Sequence, residues 1–179
     1  MGRFWKWIGW ALVASAGVWV LAAAGRPPVL KPTGAEAQGS AGRKPAPDFR
    51  LIELDGKSIQ LSGLKGKVVL LDFWATWCPP CQAEIPHFVA LYAAYREKGL
   101  EIVGVSLDDG PEVVRSFVKQ KGIPYPVGLG SQSLAQLYGG IRGIPTTFLI
   151  DKQGRIAKMY VGYQDKSVFE SQIKTLLAE

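Results

Sequence analysis

Cysteine is scarce in this chain: Cys78 and Cys81, separated by two residues, are its only two among 179 residues. A structural disulfide framework needs more cysteines at wider spacings. A zinc site needs about four ligands, and one CxxC with the single histidine, His87, does not supply them within one chain. A copper chaperone would want a distant histidine ligand. A peroxidase would want its cysteine in a different loop, without a CxxC partner. The absence of cysteine near residue 25 excludes a lipid-modified N-terminus. An excess of one charge sign is also missing from most of the chain. Of 21 Lys and Arg, six (Arg3, Lys6, Arg26, Lys31, Arg43, Lys44) lie in residues 1–47 with one acid, Glu36. The remaining 15 face 14 acids, so the net charge of +6 belongs to the N-terminal segment and no basic patch is left for nucleic acid. Internal repeats are absent. What remains is one redox pair in a globular composition, 47% hydrophobic and 20% charged.

Residues 8–24 carry no charge and follow Arg3 and Lys6, with Trp5, Trp7 and Trp10 clustered at the charged end. Extended back through Phe4–Trp7, the run reaches the roughly 20 residues that span a bilayer. Basic residues on the cytoplasmic side would send the rest of the chain across. The expectation is a signal-anchor over 1–24, single-pass, in a bacterial cytoplasmic membrane with the domain on the extracytoplasmic (periplasmic) side. A cleaved signal peptide is the alternative, since Ala22-Ala23-Ala24 offers a small-residue site. Residues 25–45, rich in Pro, Gly, Ala and Ser, read as a flexible linker. One domain is expected over 46–179.

That domain alternates strand and helix patterns. A short strand over 49–54, the Asp55-Gly56 turn and a partner over 58–61 read as a hairpin. Val68 to Phe73 is a continuous apolar run, the mark of a buried central strand. Helical spacing covers 78–98, a second buried strand 101–107, and a helix 111–121. A weak strand at 125–129, a short helix at 131–138, a hairpin over 146–161 and an amphipathic helix at 168–177 complete the chain. A helix joining two buried strands implies a right-handed crossover and a parallel core pair. Hairpins at either end would make the sheet mixed, giving an α/β sandwich.

Cys78 sits where a buried strand gives way to a helix, with Pro79 and Pro80 at the first helical positions. A thiol there feels the positive end of the helix dipole, which favours its thiolate. Cys78 is therefore the expected nucleophile and Cys81, one turn on, the resolving thiol. The two prolines remove amide donors that could otherwise approach the Cys78 sulfur. Asp72 lies in an otherwise apolar run, either buried or on an exposed edge. Burial would lift its pKa toward the range of a general base. Glu84 is one turn past Cys81, either near the site or a solvated helix glutamate. His87 reads as an exposed helix residue, Trp74 as core, and Trp77 as a shield on one side of the disulfide.

DFWATWCPPCQAEIP together with GIPTTFLID resembles the thioredoxin superfamily, over nearly all of the domain. APDF and LDGKSIQLSGLKGKVVLLDFWATWC, with the long stretch from Leu107 to Ile141, make it similar to the membrane-tethered TlpA/ResA/CcmG branch linked to cytochrome c maturation. The resemblance implies a three-layer α/β/α sandwich with a mixed central sheet, an N-terminal β-hairpin and a central insertion. It implies a cis peptide at Ile144–Pro145 facing the cysteines, with backbone groups that dock a substrate chain. Trp77, Ile144 and Pro145 are thus candidate substrate-binding residues, with Cys78, Cys81, Asp72 and Glu84 as catalytic ones. The acid at Asp72 would move the proton of the resolving cysteine as in thioredoxin, whereas the ResA-like branch has a glutamate at the position of Glu84. No cofactor or metal is implied. The implied activity is a protein-disulfide reductase acting on the CxxCH disulfide of apocytochrome c, supplied by a CcdA/DsbD-like membrane thiol-reducing transporter. The alternatives are a general extracytoplasmic disulfide reductase or oxidase, and a tethered docking or chaperone module whose disulfide switches binding.

Overall fold

The computed structural model describes residues 42–179. The anchor expected over 1–24 and most of the linker lie outside them. Among the described residues no helix is long and apolar enough to cross a membrane.

Two strands form the centre, and both are buried from end to end: β3 (Val68–Trp74) and β4 (Leu100–Ser106), which come after an upstream hairpin of β1 (Arg50–Ile52) and β2 (Ser58–Gln60). They pair in parallel, Val68 against Leu100 through Trp74 against Ser106. A parallel pair needs a crossover, and α1 (Pro79–Tyr95) provides it. The helix expected to run to Lys98 tightens after Tyr95 into a 3-10 turn, Arg96–Lys98, ended by Gly99 in the left-handed region at φ 101°. Helix α2 (Pro111–Lys121) leads to the short β5 (Val127–Leu129), parallel to β4. After α3 (Gln132–Leu137), β6 (Thr146–Ile150) runs antiparallel to β3. β7 (Ile156–Val161) pairs with β6, and α4 (Lys166–Ala178) ends the chain. The sheet order is β5-β4-β3-β6-β7.

The N-terminal hairpin, β1 (Arg50–Ile52) and β2 (Ser58–Gln60), is a separate two-stranded sheet. It does not extend the central sheet, as hairpins at both ends had implied; the mixed character comes from β6 and β7. A single bridge, Glu53 to Gly128, ties it to β5. A side chain at Gly128 would collide with the Ile52 carbonyl, so glycine permits the approach.

Strand alternation divides the core. Val68, Leu70 and Trp74 face one side, packed with Ile85, Phe88 and Leu91 of α1 and Phe169, Ile173 and Leu176 of α4. Val69, Leu71 and Phe73 face the other, with Phe49, Leu134, Tyr138 and Phe148. Position 72 shares the parity of 70 and 74, so β3 aims a carboxyl at the α1 layer.

Contacts begin ahead of Ala46. The Ile156 amide donates to the Lys44 carbonyl and the Ala46 amide to that of Gly154, both at 2.9 Å. Arg43 reaches the buried Asp151 carboxylate at 3.1 Å and Glu179 at 2.6 Å.

Candidate active site

The apolar drive that buries β3 ends at Trp74, and the chain turns through Ala75-Thr76-Trp77 into α1. Cys78 is the N-cap, with extended backbone at φ −96° and ψ 105°, and Pro79 and Pro80 open the helix where their missing N–H groups cost no intrahelical bond. Cys78 and Cys81 are joined in a disulfide. The Cys81 amide donates to the Cys78 sulfur at 3.2 Å. Both sulfurs lie in the core layer under α1.

The Ile144–Pro145 peptide is cis, as the resemblance implied, and the Ile144 carbonyl lies 3.8 Å from the Cys78 sulfur. The turn before β6 thus presents backbone to the redox pair. Trp77 is 65% exposed. Val161, paired with Thr146 at the same end of the sheet, is 60% exposed.

The loop that delivers Cys78 is fastened at Thr76. Its amide donates to Asp108 Oδ2 at 2.9 Å and its hydroxyl to Asp108 Oδ1 at 2.6 Å. The Gln82 side-chain amide donates to the Thr76 carbonyl at 2.6 Å, and the Ser106 hydroxyl braces Asp108 at 2.8 Å. These bonds hold the end of β4 against the loop and the first turn of α1.

Two carboxyls stand behind the disulfide. Asp72 is 3% exposed, and its one hydrogen bond comes from the Thr147 hydroxyl at 3.1 Å. Burial, reinforced by the nearby Glu84 charge, pushes its pKa well above the ordinary value. Glu84 is 1% exposed, and its Oε1 accepts the Gln164 amide at 2.8 Å from the loop between β7 and α4. Burial lifts its pKa to about 7, the Gln164 bond pulling the other way. Tyr125, buried nearby, is raised by burial and by both carboxyls.

Residues 43–159 match the AhpC/TSA family. Thiol-disulfide oxidoreductase ResA of Bacillus thuringiensis (strain Al Hakam) is 42% identical over 134 residues, 74% of this chain and 77% of that relative. The chain belongs to the AhpC/TSA family, as a ResA-like thiol-disulfide oxidoreductase. ResA of Bacillus subtilis (strain 168) is 36% identical over 131 residues, 73% of each chain. Among solved structures, a thioredoxin-family thiol:disulfide interchange protein from Chlorobium tepidum TLS matches with a TM-score of 0.72 and 37% identity, covering 76% of this chain and 98% of that one. StoA from Bacillus subtilis matches with a TM-score of 0.62 and 30% identity, covering 75% and 98%.

The fold thus brings together the residues singled out in this ResA-like sequence. Cys78, Cys81, Ile144 and Pro145 converge on one point, Trp77 stands at its rim, and Asp72 and Glu84 lie behind. Of the two placements open for Glu84, the structure has the buried one. His87 departs from expectation: it is half-buried, because Tyr163 lies against its ring at a centroid distance of 5.8 Å. Thr76, Gln82, Asp108 and Gln164 were not legible as site residues. Asp108-Asp109-Gly110 reads as an ordinary turn after a strand, and its partner Thr76 is 32 positions away. Chemically, the arrangement gives a helix-capping sulfur to exchange with a substrate disulfide, a second sulfur one turn below it, and two protonatable acids. Protein disulfides are its substrates.

Proposed function

We propose that the chain is a membrane-tethered extracytoplasmic disulfide reductase of cytochrome c maturation, anchored by residues 1–24. It reduces the CxxCH disulfide of apocytochrome c and takes its electrons from a CcdA/DsbD-like membrane thiol-reducing transporter. The observation that carries the reducing direction is the single amide, that of Cys81, donated to the Cys78 sulfur. Pro79 and Pro80 have no N–H to add, so the thiolate is stabilised by that one bond and the helix dipole. Strong oxidants of this chemistry owe their potential to a heavily stabilised reduced form. The buried Glu84, at the position where the ResA-like branch carries a glutamate, supports the assignment to that branch.

In the reaction, the Cys78 thiolate attacks a substrate disulfide and releases one substrate thiolate. Cys81 then gives its proton to a buried carboxylate and attacks the Cys78 sulfur. The second substrate thiolate leaves and is protonated from solvent. Two electrons pass to the substrate, and the cysteine pair ends as the disulfide.

The test is the reduction potential of the pair, with the rate of reduction of a synthetic peptide holding an oxidised CxxCH. The proposal expects about −270 mV or lower, the range of thioredoxin. It also expects the peptide to be reduced faster than insulin at equal disulfide concentration. A potential near −120 mV, roughly that of a strong oxidant, overturns the direction. Equal rates overturn the cytochrome assignment in favour of a general reductase, the reading favoured by the exposed apolar rim of Trp77 and Val161.

A further inference from the structure

An uncovered edge strand presents unpaired amides and carbonyls, and the five-stranded sheet has two edges, β5 and β7. The N-terminal hairpin covers the first: Glu53 bridges to Gly128, and the Leu54 amide donates to the Val127 carbonyl at 2.9 Å. The second is covered only at its start. Pro45 bridges to Arg155 in the antiparallel sense, and the Ile156 amide donates to the Lys44 carbonyl at 2.9 Å. Among the described residues no strand or bridge pairs with the rest of β7 on that side. Register decides which groups stand open there. The Gly162 amide donates to the Pro145 carbonyl at 2.8 Å, so these two form a hydrogen-bonded pair. Bonded and non-bonded pairs alternate along an antiparallel ladder. Tyr160 and Lys158 therefore turn their backbone groups to β6, whereas Val161, opposite Thr146, and Met159, opposite Phe148, direct theirs outward. The same two residues carry exposed apolar side chains, 60% and 57%. They lie on one face, about 7 Å apart. Edges are commonly guarded by lysine, but Lys158 sits where β6 already takes the backbone.

The open stretch adjoins the redox pair. Val161 pairs with the residue after Pro145, and the Ile144 carbonyl lies 3.8 Å from the Cys78 sulfur. Two strand spacings, about 10 Å, separate the line of β6 from a strand added outside β7, and about three extended residues cover that distance. We propose that the open edge of β7 is a docking track for the substrate protein, whose segment C-terminal to the reactive disulfide adds there as an antiparallel strand. β7 runs toward the redox pair and ends beside it, so an antiparallel strand enters at Val161 and leaves away from Cys78, which fixes the C-terminal side. Its residues opposite Val161 and Met159, two apart, exchange N–H···O bonds with both. Their side chains lie on the exposed valine and methionine, so apolar ones fit. The segment at Lys44 and Pro45 pairs with this same edge in the same sense, and it closes the track at Ile156. The occupant is a protein with an extended stretch of alternating apolar residues a few positions past its disulfide. The inference uses the thiol–disulfide exchange activity and not the cytochrome substrate proposed above.

The test uses the reduced full-length chain, in mild detergent, and two synthetic peptides. Each holds a Cys-Gly-Gly-Cys disulfide, a Gly-Ser-Gly spacer and the strand Val-Thr-Val-Thr. In the second peptide the amides of both valines are N-methylated, which removes the donors that would face Val161 and Met159. The first peptide is expected to show a KM about tenfold below that of the second at the same kcat, the worth of roughly two net hydrogen bonds. Met159→Pro removes one outward amide and no bond to β6. It is expected to bring the KM of the first peptide up toward that of the second. Equal KM values for the two peptides with the parent chain overturn the proposal, and this comparison needs no variant to fold. An unchanged KM for the first peptide in folded Met159→Pro overturns it as well. So does a dimer, seen by sedimentation, that Met159→Pro dissociates, because a second copy of the chain then holds the edge. Neither peptide is a cytochrome segment and neither measurement reads the reduction potential, so this proposal and the function proposed above fail separately.

Discussion

Asp72→Asn is isosteric, and the Asn Oδ1 still accepts the Thr147 hydroxyl that Asp72 holds at 3.1 Å. What the substitution removes is an ionisable group that burial holds protonated, its pKa raised well above the ordinary value. Linkage sets the sign. A carboxyl with a raised folded pKa keeps its proton where the unfolded chain has already lost it. The folded state is therefore favoured most below the unfolded pKa, about 3.9 for Asp, and that advantage falls as pH rises toward the folded pKa. Within the window each pH unit lowers the stability of the parent by about 1.4 kcal/mol. Glu84, raised to about 7, adds a slope of the same sign in both proteins up to that pH. The Asn variant should therefore gain on the parent by about 1.4 kcal/mol for each pH unit from about 5 up to the folded pKa of Asp72, and no further above it. In melting temperature the gap widens by about 4 °C per unit for a domain of this size. Urea unfolding of the oxidised full-length chain in mild detergent, at pH 5, 6 and 7 and one ionic strength, measures it. Parallel stability profiles for the two proteins would refute the reasoning, since they would mean that Asp72 ionises in the fold as it does in water.

The remaining predictions concern the parts around this carboxyl. Cys81→Ser should halt the reaction after the first exchange and accumulate a Cys78–substrate mixed disulfide, seen as a mass adduct that dithiothreitol removes; turnover in this variant would reassign the resolving step. Asp108→Ala deletes the acceptor for the Thr76 amide and for the Thr76 and Ser106 hydroxyls. Those donors can turn partly to water, so the expected loss is about 2–3 kcal/mol by denaturant unfolding, with kcat/KM falling alongside. Unchanged peptide reduction would show that the loop holds Cys78 without its clamp. Trp77→Ala, at a side chain 65% exposed, should leave the melting temperature unmoved. It should raise KM for a disulfide peptide about three- to tenfold, and an unchanged KM would take Trp77 out of the substrate surface.

Residues that act within a few positions of each other were legible from the chain alone. The CxxC pair, the prolines that open α1 and the apolar runs of β3 and β4 are local patterns. Local patterns fix periodicity, capping and which way successive side chains point. Asp72 is an intermediate case. Its parity with Leu70 and Trp74 fixes the side it faces, but only the packing of α1 and α4 there makes that side a closed layer. The same holds for Glu84. Its spacing from Cys81 and Phe88 places it on the buried stripe of α1, yet a glutamate on a helix is more often solvated. The Gln164 amide, 80 positions away, is what seats it. The separation of the N-terminal hairpin from the central sheet, the hold of Asp108 on Thr76 and the half-burial of His87 under Tyr163 had no local signature. In each, the partner arrives from a distant element, and which backbone donor or aromatic ring covers a given face depends on how the layers pack. The sequence by itself therefore determined the redox pair, its place at a helix start and the family of the fold. The tertiary structure decided which acids are buried, and burial is what raises the proton affinity of two ordinary carboxyls behind a disulfide.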